Sequence, residues 1–248
     1  MADEHASGRQ LDARAVARVL GAPCQPPRRA RILPRMAAPI RPQQPPDPAS
    51  GMVPMTLEQF LAWEERQERR YEFVDGFVRA MTGGTLRHNV ITGNVYALLR
   101  GPPRAAGCHA HFTDVQVRTP NGRTYYPDVV VRCGPFAHGD RHARSPCIVV
   151  EVTSPSTRTT DREEKLRAYQ TVPALRAYVI VEQAVRRMDC HVRQGDGTWT
   201  FLEVSDVTGV TEFAPPCVDA VLTLGDVYAD TDIVPPPPDL TDLDGAGS

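Results

Sequence analysis

Residues 147–170, CIVVEVTSPSTRTTDREEKLRAYQ, read as a strand, a polar turn and a helix. Cys147, Ile148, Val149 and Val150 form an apolar run rich in β-branched residues, which suits a strand buried on both faces. Glu151 interrupts the run and Val152 resumes it. The segment Ser154-Pro155-Ser156-Thr157 ends the strand, because proline donates no ladder hydrogen bond and serine hydroxyls favour turns. Thr160 followed by Glu163 has the spacing of a capping box and predicts a helix beginning there. On that helix Asp161 and Lys165 stand four residues apart and share a face.

Two features of this stretch point to chemistry. An ionised carboxylate inside an apolar strand costs several kcal/mol unless a cation or metal compensates it. The second feature is the lysine. Of the 28 Lys plus Arg residues, 27 are Arg, and the single Lys is Lys165. Arg serves for surface charge and phosphate contact. It serves badly where a compact ammonium must sit beside a reacting oxygen. The bland alternative is a surface lysine beside Glu163 and Glu164.

The length of 248 residues suits one sizeable domain with tails. No apolar run approaches the ~18 residues of a membrane span. The N-terminal MADEHASGRQLDARAVARVL is too charged for the apolar centre of a signal peptide, so a cytoplasmic location is expected. Residues 1–50 carry eight Arg and four acids and are rich in Pro, a composition that predicts disorder. Residues 231–248 are expected to form a disordered, acidic, Pro-rich tail, and residues 52–230 the folded domain. That domain is close to neutral, which argues against a non-specific, high-affinity nucleic-acid binder but not against a nuclease with its Arg gathered in one cleft. The six cysteines are scattered without a CxxC pair, so they read as small core residues rather than a zinc site or disulfide framework.

Upstream, Thr56 and Gln59 form a capping box that opens a helix to about Arg69. Asp75-Gly76 is a two-residue hairpin signal between strands 71–74 and 77–81. Residues 85–100 have helical apolar spacing. His109–Thr119 and Tyr125–Cys133 each read as one strand, the second entered through Pro127-Asp128. Downstream, residues 177–181 read as a buried strand, 188–193 and 199–204 as an edge hairpin, and 218–228 as a last strand with a helical turn. The pattern predicts an α/β (α+β) protein with a central mixed β-sheet flanked by helices.

Asp128 and Glu151 stand near the ends of neighbouring buried strands, and Lys165 follows on the next helix. Two acids with one lysine suit metal-dependent phosphodiester cleavage: hard oxygens hold Mg²⁺, and an ammonium orients water and offsets developing charge. The order Pro127-Asp128, EVTSPST (residues 151–157) and DREEKLRAY (residues 161–169) resembles the Uma-type restriction-endonuclease-like family of the PD-(D/E)XK nuclease superfamily. YEFVDG (residues 71–76) and Arg87-His88 are similar to that family's upstream motifs, and the resemblance spans about residues 55–230.

The resemblance implies a restriction-endonuclease-like fold and a DNA endonuclease using Mg²⁺, with Mn²⁺ as a substitute. It implies Asp128, Glu151 and the main-chain carbonyl of Val152 as metal ligands, and Lys165 as the amine that orients water and stabilises the transition state. The superfamily's usual lysine position, two residues after the glutamate, is Thr153 here; the resemblance implies that Lys165 has taken over from the following helix. Glu72 becomes an additional carboxylate at the edge of the site. A nucleic-acid partner, DNA foremost, no membrane, and compatibility with a homodimer complete the expectation.

Other readings stay open at this point. Asp128 after a proline can cap a turn, Glu72 can be an exposed hairpin residue, and Asp161 can simply support a helix N-terminus. His88 reads as a packed or surface histidine and Tyr169 as packing. His138 and His142 have no partner spacing and are assigned nothing. Two other functions compete: a catalytically silent nucleic-acid-binding or regulatory protein on the same fold, and a metal-free hydrolase using Glu151 and Asp128 as an acid–base pair.

Overall fold

All eight residues of Pro146–Thr153 are buried, Glu151 among them, and the two layers of the molecule are built on this strand. The computed structural model describes residues 54–81, 83–101, 107–154 and 157–236. The segment 1–50 and residues 237–248 of the acidic tail lie outside the described residues, as do Pro155 and Ser156 of the turn. In chain order the elements are α1 (Leu57–Glu64), β1 (Tyr71–Val74), β2 (Phe77–Ala80), α2 (Leu86–Arg100), β3 (Cys108–Phe112), β4 (Val117–Arg118), β5 (Thr124–Tyr125), β6 (Val129–Cys133) and β7 (Pro146–Thr153). A π-helical segment (Thr160–Lys165) then runs into α3 (Leu166–Gln170). There follow β8 (Ala177–Glu182), β9 (Arg187–Arg193), β10 (Trp199–Ser205), β11 (Glu212–Phe213), β12 (Leu222–Thr223) and α4 (Leu224–Val227).

The main sheet has the order β10-β9-β8-β7-β6-β3. It is mixed: β7 and β8 run parallel, joined by the helical crossover, and the other neighbours are antiparallel. A four-stranded antiparallel sheet, β2-β1-β5-β4, carries the hairpin. The fold is thus the expected mixed sheet with flanking helices.

Alternation along β7 sorts its side chains. Ile148, Val150 and Val152 pack with Ile91, Val95 and Leu99 of α2. Val149 packs on the other face with Ala168 and Tyr169 of α3, and with Tyr178 and Ile180 of β8. Glu151 shares the Val149 face, so it points toward the helical crossover. Ile148 is fully buried in this layer. Ile148→Ala is expected to cost about 2–5 kcal/mol, read as a lower denaturant midpoint with an unchanged m-value.

Several sequence readings need correction. The run 125–133 is not one strand. Pro127-Asp128 is the bend where the chain leaves the small sheet (β5) and enters the main one (β6), so Asp128 sits just before β6 rather than inside a strand. Residues 109–119 also break, because Thr113 and Asp114 adopt positive φ (49° and 52°) between β3 and β4. Helix α1 stops at Glu64, short of Arg69. Its capping box forms as expected, with Gln59 N–H to Thr56 Oγ1 at 3.2 Å and Thr56 N–H to Gln59 Oε1 at 2.8 Å. The Asp75-Gly76 turn has positive φ at both residues (51° and 91°), as a tight hairpin needs.

The Thr160–Glu163 capping box does not form. The helical stretch begins earlier: Ser154 and Thr157 exchange side-chain and backbone hydrogen bonds, and Arg158 N–H donates to the Ser154 carbonyl at 3.0 Å. Residues 231–236, expected in the tail, carry contacts to the domain: Asp232 pairs with Arg87 at 2.7 Å, and Ile233 packs against the α2 layer. The cysteines also depart from expectation, since Cys108 and Cys133 face each other across β3 and β6 and form a disulfide. Strand register, which is long-range, brings together residues 25 apart in sequence.

Candidate functional site

The C-terminal end of β7, the start of β6 and the π-helical segment meet at one cluster of charge. Lys165 lies at its centre. Its Nζ is 3.1 Å from Glu151 Oε1, 3.2 Å from Glu72 Oε1 and 3.2 Å from Asp161 Oδ1. The ring of Tyr125 lies beneath the ammonium, 5.7 Å from centroid to nitrogen. Lys165 is only 7% exposed, which rules out the surface-lysine reading.

Local structure explains how that lysine is aimed. A π-helical turn widens the helix and shifts side chains relative to an α-helix, and such turns recur at functional sites. Here it sets Asp161 and Lys165 on the sheet-facing side, both buried. Tyr178 of β8 donates its hydroxyl hydrogen to the Asp161 carbonyl at 3.0 Å, satisfying a backbone group of the segment. Arg158 and Arg162 grip the buried Glu182 at the end of β8, at 2.9 and 2.8 Å. Arg162 also reaches Asp189 at 2.6 Å. These clamps fix the segment over the parallel β7–β8 pair. On the outer side, Arg79 of β2 forms a two-pronged bond to Glu164 at 3.2 and 3.1 Å.

Asp128 is held by main chain and histidine. Val152 N–H donates to Asp128 Oδ2 at 2.7 Å, and His88 Nε2 lies 3.3 Å from Asp128 Oδ1. The same imidazole hydrogen-bonds the Val152 backbone. His88 occupies the first turn of α2, where its own N–H is capped by Thr85 Oγ1 at 3.1 Å. Gly84 makes room for it: a Cβ at Gly84 would come within 2.8 Å of His88 Nδ1.

Burial and charge set the protonation. Burial pushes the Glu151 carboxyl well above the usual carboxylate range; Lys165 opposes this, while Asp161, Asp128 and Glu72 add to it. Burial works against the Lys165 ammonium, but Glu151, Glu72 and Asp161 together hold its pKa well above the ordinary lysine value. For His88, burial works downward, and the bond and charge of Asp128 outweigh it, leaving the pKa raised. Tyr169 donates to Glu151 Oε1 at 3.0 Å, and burial followed by the Glu151 charge drives its phenol upward.

A carboxyl whose folded pKa exceeds its unfolded value weakens the fold as pH rises through that interval. The penalty from Glu151 therefore grows as pH rises above the ordinary carboxylate range and is absent below it. Glu151→Gln is expected to raise the melting temperature of the metal-free protein at neutral pH, by about 2–4 °C per kcal/mol relieved. That advantage should shrink as the pH is lowered toward about 4. A gain of equal size at both pH values, or a lower melting temperature at neutral pH, would contradict this assignment.

The donor set suits a small hard cation. Four acids (Asp128, Glu151, Glu72 and Asp161) face two permanent cations, Lys165 at the centre and Arg79, 3.8 Å from Glu72 Oε2, and one conditional cation, His88. Carboxylate oxygens with a main-chain carbonyl beside them are Mg²⁺-type ligands. Asp128, Glu151, Lys165 and Glu72, singled out from the sequence, are thus brought together, with Val152 bonded to Asp128. His88, Asp161 and Tyr169, left undecided or read as packing, belong to the same cluster. The Arg158–Glu182–Arg162 clamp had no local signal. No helix among the described residues is long and apolar enough to cross a membrane.

The Uma2 family profile, described as "Putative restriction endonuclease", matches residues 57–223. Two proteins of Synechocystis sp., both described as uncharacterized, are similar. One, slr1290, is 34% identical over 160 residues, covering 62% of this chain and 83% of its own. The other, sll1609, is 27% identical over 167 residues, covering 64% of this chain and 93% of its own. A crystal structure from Anabaena variabilis, titled a putative nuclease belonging to DUF820, superposes with a TM-score of 0.56 at 15% identity. It covers 71% of this chain and 98% of its own, a likeness of fold. The profile match spans both β-sheets and the helical crossover that carry the cluster, and the chain belongs to the Uma2 family.

Proposed function

We propose that this protein is a metal-dependent endonuclease that hydrolyses phosphodiester bonds in DNA, using Mg²⁺ with Mn²⁺ as a substitute. The observation that carries the reading is the convergence of Glu151, Glu72 and Asp161 around one buried lysine at the end of the parallel strand pair, with Asp128 near enough to act on the Glu151 charge. Asp128, Glu151 and the Val152 carbonyl would hold the ion. When bound, such an ion acidifies water and offsets charge on the phosphorus centre.

The chain's own groups do the rest. Lys165 stays protonated, because three carboxylates sustain its charge, and so it acts as a donor rather than a base. A fixed ammonium in a buried site orients the attacking water and stabilises the oxyanion forming at phosphorus, with little reorganisation. Glu72 and Asp161 keep the ammonium in place from two further sides. Tyr169 steadies the Glu151 carboxylate, and His88 with Val152 N–H steadies Asp128. Arg79, nearly half exposed at the mouth, is the group best placed to meet a backbone phosphate.

The test is a cleavage panel with purified full-length protein on supercoiled plasmid, linear duplex, single-stranded DNA and RNA, in Mg²⁺, Mn²⁺ or chelator. The reading expects nicking or linearisation of DNA in either metal and none in chelator. Absence of cleavage on every substrate, with tight DNA binding, would instead favour the silent binding protein.

A further inference from the structure

A second cluster of functional groups lies at the opposite end of β7 from the acids. Cys147 is the second residue of that strand, four positions before Glu151, or roughly 13 Å at ~3.3 Å per residue. Cys108 opens β3 and Cys133 closes β6, and the two are direct cross-strand partners. The sulfur atoms of Cys108, Cys133 and Cys147 all lie within 4.8 Å of one another. The Cys217 thiol reaches Cys147 by a hydrogen bond from the loop between β11 and β12. Four of the six cysteines, far apart in sequence, therefore converge on one corner of the main sheet.

We propose that in the reduced protein Cys108, Cys133, Cys147 and Cys217 form a tetrathiolate site for a soft divalent cation of the Zn²⁺ class. In tetrahedral zinc coordination, Zn–S bonds of about 2.3 Å place the sulfurs about 3.8 Å apart, so Cys108, Cys133 and Cys147 already stand close to coordinating spacing, and Cys217, whose thiol meets Cys147, turns inward from its loop to complete the set. All four donors are sulfur, which selects Zn²⁺ over Mg²⁺. The surroundings fit as well. A tetrathiolate zinc centre carries two net negative charges, and Arg176 interacts electrostatically with both Cys147 and Cys217. The Arg176 backbone is tied to the same strand, its N–H donating to the Cys147 carbonyl at 2.8 Å. Cys217 has φ +75°, a backbone conformation that costs a side-chain-bearing residue energy and that a bond from its sulfur would offset.

The disulfide between Cys108 and Cys133 is the oxidised alternative. Opening it takes two electrons and two protons: a dithiol supplies both and leaves as its own disulfide, or a phosphine supplies the electrons and leaves as its oxide while water supplies the two protons and the oxide oxygen. The thiols then release their protons as the cation binds. The site thus exists in two exclusive forms, metal-free with a disulfide and metal-loaded with four thiolates. It braces β3, β6, β7 and the Cys217 loop without involving the acids.

The test uses full-length protein reduced with a water-soluble phosphine under inert gas, stripped with chelator and titrated with Co²⁺. The thiolate-to-cobalt charge transfer and intense tetrahedral d–d absorption are expected to saturate at one Co²⁺ per chain, any ion at the carboxylates contributing neither, and to be displaced by one equivalent of Zn²⁺. Cys217→Ser, in a partly exposed loop, should lose about a quarter of the charge-transfer intensity and bind Zn²⁺ at least about tenfold more weakly. Cys24→Ser and Glu151→Gln should leave the spectrum unchanged, and an unreduced sample should show none of it. Reduced parent protein lacking thiolate-to-cobalt charge transfer, or Cys217→Ser indistinguishable from it, would overturn the proposal.

Discussion

Lys165→Arg is expected to slow single-turnover cleavage roughly 10²–10³-fold at saturating Mg²⁺, comparable to losing one oxyanion donor, about 2.7–4 kcal/mol. The geometry makes the swap severe. One nitrogen serves three carboxylates at 3.1–3.2 Å from a position almost closed to solvent. A guanidinium spreads its charge over a plane, presents paired donors to one carboxylate at a time and needs more room. It keeps a positive charge among the acids, so a cooperative melt should persist. Mg²⁺ affinity should change little, because the ammonium is not a ligand. Parent-like cleavage by the variant would mean that the site needs a cation there and nothing more specific.

Asp128→Asn and Glu151→Gln are each expected to abolish divalent-ion binding by calorimetry, and cleavage with it. Their effects on the fold should differ. Glu151→Gln removes a buried charge while Lys165 keeps Glu72 and Asp161. Asp128→Asn can still accept the Val152 N–H through its amide oxygen, but it exchanges a carboxylate for an amide against His88. A retained calorimetric signal for Mg²⁺ in both variants would place the cation elsewhere.

Much of the fold could be read locally. The β-branched run at 147–152, the Asp75-Gly76 turn and the Thr56–Gln59 cap all act within a few residues, and each formed as its chemistry requires. Where the sequence misled, the cause lay further away. The apolar run through Pro127 looked continuous, yet its two halves pair in different sheets. A π-helical turn and an α-helical one bury nearly the same residues over six positions, so Thr160–Lys165 read as ordinary helix. The site showed the same division. Asp128, Glu151, Lys165 and Glu72 carried motif spacing. His88 and Asp161 acquired partners only once α2 and the crossover had docked on β7. The cysteine cluster depends wholly on strand register, which no spacing among residues 108, 133, 147 and 217 encodes.

The most direct measurement is the single-turnover rate of plasmid cleavage by parent and Glu151→Gln proteins, each first stripped with chelator and then given saturating Mg²⁺. The acid cluster at the end of β7 as catalytic centre predicts that the parent cleaves only after Mg²⁺ is restored and that the folded Glu151→Gln protein does not cleave. Cleavage by Glu151→Gln at the parent rate, or undiminished parent cleavage in chelator, would contradict it.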